Sequence, residues 1–341
     1  MILIDALYLV SDGGLILLEY FLQELEKEKE DFILLIDQRH KGLVNHERFK
    51  YTKMSSSEVN RAFFYRENRA KISAVFCLAN VPPPIKITVP VHIYFHNYLI
   101  IDTTDSNLNL RQKSILWAKR KYIQLKNRKS YNWHVQTLLI KQRLNKKLKV
   151  STDSISLTPF FPSIKREKKS QIAPLSNSFI YVAASSPHKN HNNLIQGFLD
   201  AAQLSDEKIY LHLTLDKNTV DSFLFRKKEI PSNLEIIPLG LLSHSLLIEK
   251  YLENEYLIYP SLKESFGLPL IEATQLGLKI IAADLPYTFE VVRPSLIFDP
   301  LSIESIRNIV INAIHLVNVE PSKLRIDNKI NELIHTIFKD V

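Results

Sequence analysis

The sequence has little cysteine and no long apolar run. Its 341 residues include 1 cysteine, Cys77, which leaves no partner for an internal disulfide, and its neighbours Val75 and Phe76 predict a buried thiol rather than a nucleophile. No apolar run approaches the roughly 18 residues of a membrane span, and residues 1–5 are not a basic segment followed by an apolar one. We therefore expect a cytoplasmic chain that is neither exported nor inserted in a membrane.

Motifs of several enzyme classes are also missing. The sequence has no Gly-x-x-x-x-Gly-Lys-Ser/Thr loop, no Gly-x-Ser-x-Gly elbow and no Gly-x-Gly-x-x-Gly turn, which argues against NTPase, hydrolase and dehydrogenase chemistry. The nearest pattern to Asp-x-Asp is formed by Asp102 and Asp105, and no His/Cys group has metal-ligand spacing. We therefore predict a reaction that needs no cofactor and no bound metal ion.

Acidic residues are absent between Asp105 and Asp153, within a chain of formal net charge +8. The cations there are Arg111, Lys113, Lys119, Arg120, Lys121, Lys126, Arg128, Lys129, Lys141, Arg143, Lys146, Lys147 and Lys149, interleaved with Trp117, Tyr122, Tyr131 and Trp133. Such a stretch predicts attraction to an anionic membrane surface or a nucleic acid, although a merely solvated basic face stays open. The residues singled out for a membrane surface are Arg111, Lys113, Lys119, Arg120, Lys121, Lys126, Arg128 and Lys129.

Length and patterning predict two α/β domains. A chain of 341 residues exceeds one ordinary core of roughly 150 residues. Short β-branched or aromatic runs alternate with helix-length segments: MILIDALYLV, FILLID, ISAVFCLA, VHIYF and YNWHVQT in the first half, and SFIYVAA, KIYLHLTL, LEIIPLG, EYLIYPS, LKIIAAD and SLIF in the second. This alternation predicts βαβ units and doubly wound parallel sheets.

The predicted boundaries follow from the same pattern. Helices are predicted over residues 138–149, 190–202, 220–228, 244–252 and 303–317. The polar segment 162–178, with two prolines and no apolar periodicity, predicts a linker. The domains are therefore residues 1–162, a linker over 163–178, and residues 179–322, with the C-terminal helix 323–341 free to pack back onto the first domain.

One stretch, YPSLKESFGLPLIEA at residues 259–273, combines a glycine, a proline and two carboxylates. Gly267 permits a tight turn, and Pro269 suits the first helical position, so a helix is predicted to begin at about Leu268. Its free N–H groups and the positive end of its dipole would form an anion site suited to phosphate.

The two acids of this stretch, Glu264 and Glu272, flank the turn and can face one pocket. An exposed helix start would explain Glu272, because the helix dipole favours an acid there, but not Glu264. Ligands of open α/β sheets bind where strands end. The glycines that follow predicted strands are Gly13, Gly14, Gly240 and Gly267.

The segment ESFGLPLIE resembles the Glu-x7-Glu element of retaining GT-B glycosyltransferases of family 4. FIYVAASSPHKNHNNLIQGF is similar to that family's strand-loop-helix with a basic residue for the donor diphosphate, and LEIIPLG and GLKIIAADLPYTFEVV resemble the segments on either side of the motif. The first half matches more weakly, through Gly13-Gly14, His96-Asn97 and the residues 135–137. The resemblance implies the GT-B class of α/β fold, two Rossmann-like doubly wound domains facing across a cleft.

The resemblance also implies roles. Glu272 would accept hydrogen bonds from ribose hydroxyls, Glu264 would stabilise positive charge at the anomeric carbon of the donor sugar, and Lys189 would stabilise the leaving diphosphate. The amides of residues 266–268 would bind the same phosphates, and His96 would line the acceptor side. The predicted catalytic residues are Glu264, Lys189 and His96, and the predicted substrate-binding residues are Gly13, Gly14, His188, Asn190, Ser265, Phe266, Gly267, Leu268 and Glu272.

The sequence departs from the family at one cation. Members commonly carry an arginine five residues before the lysine, and the two cations together bind the donor diphosphate. Here the arginine position is Ala184, so one of the two cations is missing. His188 is either its replacement or a turn residue, and His96 is either an acceptor-side residue or a core histidine.

The resulting hypothesis is a retaining, metal-independent hexosyltransferase. It would move a sugar from a UDP- or GDP-sugar to a glycan, lipid-linked in view of the basic stretch, in bacterial capsule, O-antigen or lipopolysaccharide synthesis. We expect the protein to be cytoplasmic and bound peripherally to the inner face of the cell membrane, and we expect no nucleic acid as partner. The alternatives are a GT-B phosphorylase or epimerase, a basic nucleic-acid-binding protein, and an inactive homologue.

Overall fold

A computed structural model describes residues 1–9, 12–28, 31–40, 49–102, 109–164, 173–225, 229–316 and 318–339. The chain divides into two compact units, one formed by Met1–Pro162 with Asp327–Val341 and the other by Ser163–Ile326. Part of the predicted linker, residues 165–172, lies outside the described residues, and the first strand of the second unit already begins at Leu175.

The first unit contains a parallel sheet with the order β3-β2-β1-β4-β5-β6-β7 among its described residues. Its strands are β1 (Ile2–Ala6), β2 (Phe32–Asp37), β3 (Phe49–Met54), β4 (Ala74–Cys77), β5 (Val91–Phe95), β6 (Tyr131–Val135) and β7 (Ile155–Leu157). Its helices are α1 (Asp12–Leu25), α2 (Glu58–Glu67), α3 (Tyr98–Ile101), α4 (Leu110–Lys126) and α5 (Leu138–Leu148), followed by a 3-10 turn at Thr152–Ser154.

The second unit contains a parallel sheet with the order β10-β9-β8-β11-β12-β14. Its strands are β8 (Leu175–Tyr181), β9 (Ile209–Leu213), β10 (Leu234–Pro238), β11 (Asn254–Tyr259), β12 (Lys279–Ala283) and β14 (Leu296–Phe298), and β13 (Val292–Arg293) pairs antiparallel with β15 (Lys323–Leu324). Its helices are α6 (His191–Gln203), α7 (Lys217–Leu224), α8 (His244–Glu253), α9 (Leu268–Leu276), α10 (Pro286–Val291) and α11 (Ile303–His315), and a 3-10 turn spans Pro187–Lys189.

Both sheets are doubly wound, which confirms the predicted architecture. In each, the first strand lies in the middle, so β1 pairs with β2 and β4, and β8 pairs with β9 and β11. Successive strands are added on one side of the first strand and then on its other side, which makes that position the topological switch point of the sheet. Ligands of such folds bind there, beyond the carboxyl ends of the strands.

The central strands have no exposed face. Every residue of β1, β2, β4 and β5 is buried, which is why they read as continuous apolar runs rather than as alternating ones. Cys77, at the end of β4, is buried as predicted, and burial raises the pKa of its thiol to about 12. It therefore stays a thiol and behaves as a small core residue.

The last helix, α12 (Ile330–Lys339), belongs to the first unit. It buries Ile330, Leu333, Ile334 and Ile337. The ring of Phe338 meets Phe32 of β2 edge-on at 5.8 Å, and Asn328 donates from Nδ2 to the Tyr20 hydroxyl at 2.9 Å. The chain thus crosses to the second unit after Pro162 and returns at Asp327.

Candidate active site

The switch point of the second sheet brings two loops together. Lys189 lies in the turn after β8 and Glu264 in the loop after β11, and these strands are parallel neighbours. The N–H of Leu262 donates to the carbonyl of His188 at 2.8 Å and joins the two loops directly. Lys189 and Glu264 therefore meet although 75 residues separate them.

Lys189 and Glu264 form a largely buried ion pair. Lys189 Nζ lies 2.5 Å from Glu264 Oε1, and the two side chains are 17% and 11% exposed. The Tyr259 hydroxyl donates to the same oxygen at 2.8 Å. Burial alone raises the pKa of Glu264, but the charge of Lys189 and hydrogen bonds from Lys189, Ser261 and Tyr259 outweigh it and hold the pKa below its usual value. The carboxylate is therefore ionised at neutral pH.

Hydrogen bonds from buried tyrosines fix the backbone at Lys189. The buried Tyr181 hydroxyl donates to the carbonyl of Lys189 at 2.8 Å and contacts Ser261 Oγ at 2.9 Å. The Tyr287 hydroxyl donates to the carbonyl of Ser261 at 2.6 Å. These contacts tie the turn after β8 to the loop after β11, so the geometry of the pair does not depend on Lys189 alone.

The side chains on either side of Lys189 make hydrogen bonds within the protein. Asn190 has φ +61° and donates from Nδ2 to the carbonyl of Pro300 at 2.7 Å. His188 Nδ1 lies 2.8 Å from Ser186 Oγ. Ala184 is exposed. The Asn190 side chain thus holds the turn after β8 to the carbonyl of Pro300. Its predicted contact with substrate stays a prediction.

Helix α9 begins at Leu268, as the sequence predicts. Gly267 has φ +83° and no side chain caps the helix; the N–H of Leu270 bonds to the Gly267 carbonyl at 2.9 Å. A Cβ on Gly267 would lie 3.7 Å from the Tyr259 hydroxyl that holds Glu264. The positive end of the helix is therefore close to the ion pair and suited to an anion.

Glu272 is buried rather than solvated. It lies on the second turn of α9 and is 4% exposed, which overturns the reading of an ordinary exposed acid. Its Oε2 accepts a hydrogen bond from the Tyr251 hydroxyl at 2.9 Å, and its Oε1 lies 3.3 Å from His244 Nε2. The first residue of α8 is His244, so this contact also lies at the carboxyl end of the sheet.

In the first unit, Gly14 and His96 lie side by side. Gly13 and Gly14 lie in the first turn of α1, and a Cβ on Gly14 would lie 3.0 Å from Leu9 Cδ2 and 3.6 Å from His96 Cε1. His96 Nε2 lies 3.0 Å from the carbonyl of Leu78 and 3.1 Å from Asn80 Nδ2. Burial lowers the pKa of His96 to about 4, and the ring is neutral at pH 7.

The predicted membrane-surface residues separate into two groups. Two cations turn inward: Arg120 donates from Nε to the carbonyl of Ile100 at 2.8 Å, and Lys126 donates from Nζ to the carbonyl of Pro84 at 2.5 Å. Both of these are partly exposed, as is Lys113, whereas the fully exposed cations are Arg111, Lys119, Lys121, Arg128 and Lys129. Of the interleaved aromatics, Tyr131 and Trp133 are core residues of β6.

Sequence reasoning missed the residues that hold the two acids. These are Tyr251, Tyr259 and His244, together with Tyr181 under Lys189. The three tyrosines are buried like those of any core, so no sequence signal marks them, and none marks His244, the first residue of α8. Within the described ranges, no group of three or more His, Cys, Asp and Glu side chains is arranged to hold a metal ion.

The second unit is similar to known glycosyltransferases. Residues 163–325 match the family model of glycosyl transferases group 1. A segment of 119 residues is 33% identical to the serotype-specific mannosyltransferase WbdA of Escherichia coli. The match covers 34% of this chain and 14% of WbdA, so the chain spans only a small part of that relative's length.

Solved structures identify the fold. WaaG, a glycosyltransferase involved in lipopolysaccharide biosynthesis, superposes with a TM-score of 0.69 at 13% identity, covering 92% of this chain and 90% of WaaG. Anabaena HepE in complex with UDP-glucose gives a TM-score of 0.64 at 12% identity, covering 92% and 89% of the two chains. The predicted GT-B fold is therefore confirmed.

Proposed function

We propose that this chain is a retaining family 4 glycosyltransferase that moves a hexosyl residue from a UDP- or GDP-sugar to a glycan in bacterial cell-surface polysaccharide synthesis. The observation that carries the proposal is the Lys189–Glu264 pair beside the uncapped start of α9, at the switch point of the sheet. The family match of residues 163–325 and the mannosyltransferase relative support it.

The diphosphate of the donor would bind at the start of α9. The backbone N–H groups there and the helix dipole neutralise phosphate charge without a side chain. Lys189 adds a cation that can turn from Glu264 to the phosphate as negative charge grows on the leaving group. Because the protein itself supplies this positive potential, the proposed reaction needs no divalent ion.

The two acids would contact different parts of the donor. Glu264, kept ionised by Lys189, would face the sugar and stabilise positive charge at its anomeric carbon. Glu272 would accept hydrogen bonds from the ribose hydroxyls. In the first unit, the neutral ring of His96 would line the acceptor side.

A nucleotide-sugar panel tests the proposal. UDP-glucose and GDP-mannose belong in it, because the relatives point to both a UDP-sugar and a mannosyl donor. A true donor should raise the melting temperature, since a ligand of the native state stabilises it by about 2.7 kcal/mol at a hundredfold excess over its Kd. Glu272→Ala should abolish this shift. The matched control is Glu253→Ala, because Glu253 is paired with Lys250 at the other end of α8.

The reaction products distinguish the alternatives. Transfer to a glycan with the anomeric configuration of the donor, read by NMR, supports the proposal. Isomerisation of the donor without transfer favours an epimerase. No stabilisation by any nucleotide sugar would refute the assigned site.

The outer face of α4 supports a peripheral location on an anionic membrane. Within this helix, Ile123 is buried, whereas Leu110, Trp117 and Leu125 are 84%, 58% and 78% exposed. Spacings of seven and eight residues bring these three onto one face, and Lys121 Nζ lies 5.9 Å from the Trp117 ring centroid on that face. Exposed aromatic and aliphatic groups among cations fit the interface of an anionic bilayer. Across the described ranges, no helix is long and apolar enough to span a bilayer.

Vesicles of phosphatidylglycerol and phosphatidylcholine test this location. Arg111→Glu with Lys121→Glu, two exposed cations that flank this face of α4, should release the protein, since each cation near the surface contributes about 1 kcal/mol. The control with the same charge change is Lys146→Glu with Lys147→Glu on α5, which should still bind. Trp117 fluorescence should shift to the blue on binding, whereas Trp133 is already buried. Stronger binding to duplex DNA than to vesicles would favour the nucleic-acid alternative.

A further inference from the structure

Each acid of the candidate site is held by its own buried tyrosine. The Tyr259 hydroxyl donates to Glu264 Oε1 at 2.8 Å, and the Tyr251 hydroxyl donates to Glu272 Oε2 at 2.9 Å. Tyr259 and Tyr251 are 1% and 0% exposed. They come from different elements, because Tyr259 ends β11 whereas Tyr251 lies on α8.

A buried tyrosine is suited to orient a carboxylate. Burial and the adjacent acid raise the pKa of both tyrosines well above its usual value, so each keeps its proton and remains a donor. A neutral donor fixes the direction of a carboxylate but leaves its charge in place. A lysine at the same position would neutralise that charge.

The two acids have different second partners. Glu264 is also bound by Lys189, so its position has two strong supports. The second contact of Glu272 is His244 at 3.3 Å, from a side chain that is 38% exposed. Tyr251 is therefore the main support of Glu272, and a ribose hydroxyl can take the place of His244 at Oε1.

We propose that Tyr251 and Tyr259 are positioning residues with separate tasks in donor recognition. Tyr251 holds Glu272 in the orientation that accepts the ribose hydroxyls, and Tyr259 holds Glu264 against the donor sugar. This inference rests on the proposed function. It assigns nucleotide binding to the first pair and the transfer step to the second.

The test compares three tyrosine-to-phenylalanine variants of the full chain. Tyr251→Phe should weaken the binding of UDP or GDP, measured by calorimetry, and raise the donor KM by roughly ten- to a hundredfold with little change in kcat, as expected for one hydrogen bond to a charged group. Tyr259→Phe should lower kcat by a similar factor and leave the Kd of the nucleoside diphosphate unchanged. A purely structural role would not split KM from kcat in this way.

Tyr256→Phe is the matched control. Tyr256 is a fully buried tyrosine of β11 whose hydroxyl donates to the carbonyl of Ala313 at 3.1 Å, and the acid beside it, Glu255, is not one of the two acids of the candidate site. Its loss should affect stability alone. Suppose that the wild-type enzyme is active and that Tyr251→Phe and Tyr259→Phe, like Tyr256→Phe, lose stability without a change in KM, kcat or nucleotide Kd. That result would overturn this inference and leave the proposed function intact. A wild-type protein that binds neither UDP nor GDP would overturn both.

Discussion

The charge balance of the site depends on one pair of residues. Lys189 and Glu264 are each less than a fifth exposed, and removing one partner of such a pair leaves a charge with neither water nor a counterion. Ala184, five residues before Lys189, supplies no second cation. Stability therefore depends on Lys189, the same side chain that is proposed to bind the donor diphosphate.

Lys189→Ala should lower both stability and turnover. The free energy of unfolding at pH 7 should fall by about 3 kcal/mol, because Glu264 loses its counterion, and kcat should fall more than donor affinity, because leaving-group charge develops during the reaction. Urea unfolding and steady-state kinetics measure the two effects. The double variant Lys189→Met/Glu264→Gln should regain stability but not activity, and a Lys189→Ala protein as stable as wild type would contradict the pair.

Helix α9 has a glycine at each end. Gly267 and Gly277 both have φ +83°, a left-handed conformation that side chains rarely adopt. At Gly267 an added Cβ would lie 3.1 Å from Leu270 Cδ1, whereas at Gly277 it would meet nothing within 4 Å. The two ends therefore share the backbone strain but differ in their surroundings.

This difference predicts separate effects of two matched substitutions. Gly267→Ala and Gly277→Ala should each cost about 1–2 kcal/mol of folding free energy, the penalty for a left-handed residue with a side chain. Only Gly267→Ala should also weaken nucleotide-sugar binding, because the added Cβ crowds the Leu270 side chain in the first turn of α9, where the donor is proposed to bind. Urea unfolding and calorimetric titration give the comparison. Equal binding by both variants would show that the start of α9 does not hold the donor.

Across the whole molecule, histidines are buried in both units. His134 of β6 lies between His92 Nδ1 at 3.0 Å and Thr158 Oγ1 at 3.1 Å. Burial is the main cause that lowers the pKa of His134 to about 3 and those of His96 and His191 to about 4. Such rings are neutral in the folded chain and gain a proton on unfolding at mildly acidic pH.

Stability should therefore fall on mild acidification. Between pH 7 and pH 8 the free energy of unfolding should change little, because histidine is then mostly neutral in both states. As the pH drops from about 6.5 towards 4, the unfolded chain takes up protons that the folded chain excludes, which costs up to about 1.4 kcal/mol per pH unit for each ring. Urea titrations between pH 8 and 4 measure this slope. His134→Gln should reduce it, and an unchanged slope would show that His134 does not contribute.

Local signals were sufficient for much of the fold. Apolar runs located the buried strands, and the pattern of the second half predicted α6, α8 and α11 to within one or two residues at each end. The edge strands β3 and β7 and the helices α2 and α4 were not predicted, because they are half exposed and mix polar with apolar residues. Residues 226–228, at the end of one predicted helix, lie outside the described residues.

The sequence by itself determined the start of α9, since Gly267 and Pro269 act on the backbone next to them. It also indicated the two acids and Lys189 as candidates. Only the tertiary structure decided that Lys189 pairs with Glu264 and that buried tyrosines hold the acids. Those contacts depend on which strands are neighbours in the sheet, and strand order is a non-local property that no short stretch of sequence carries.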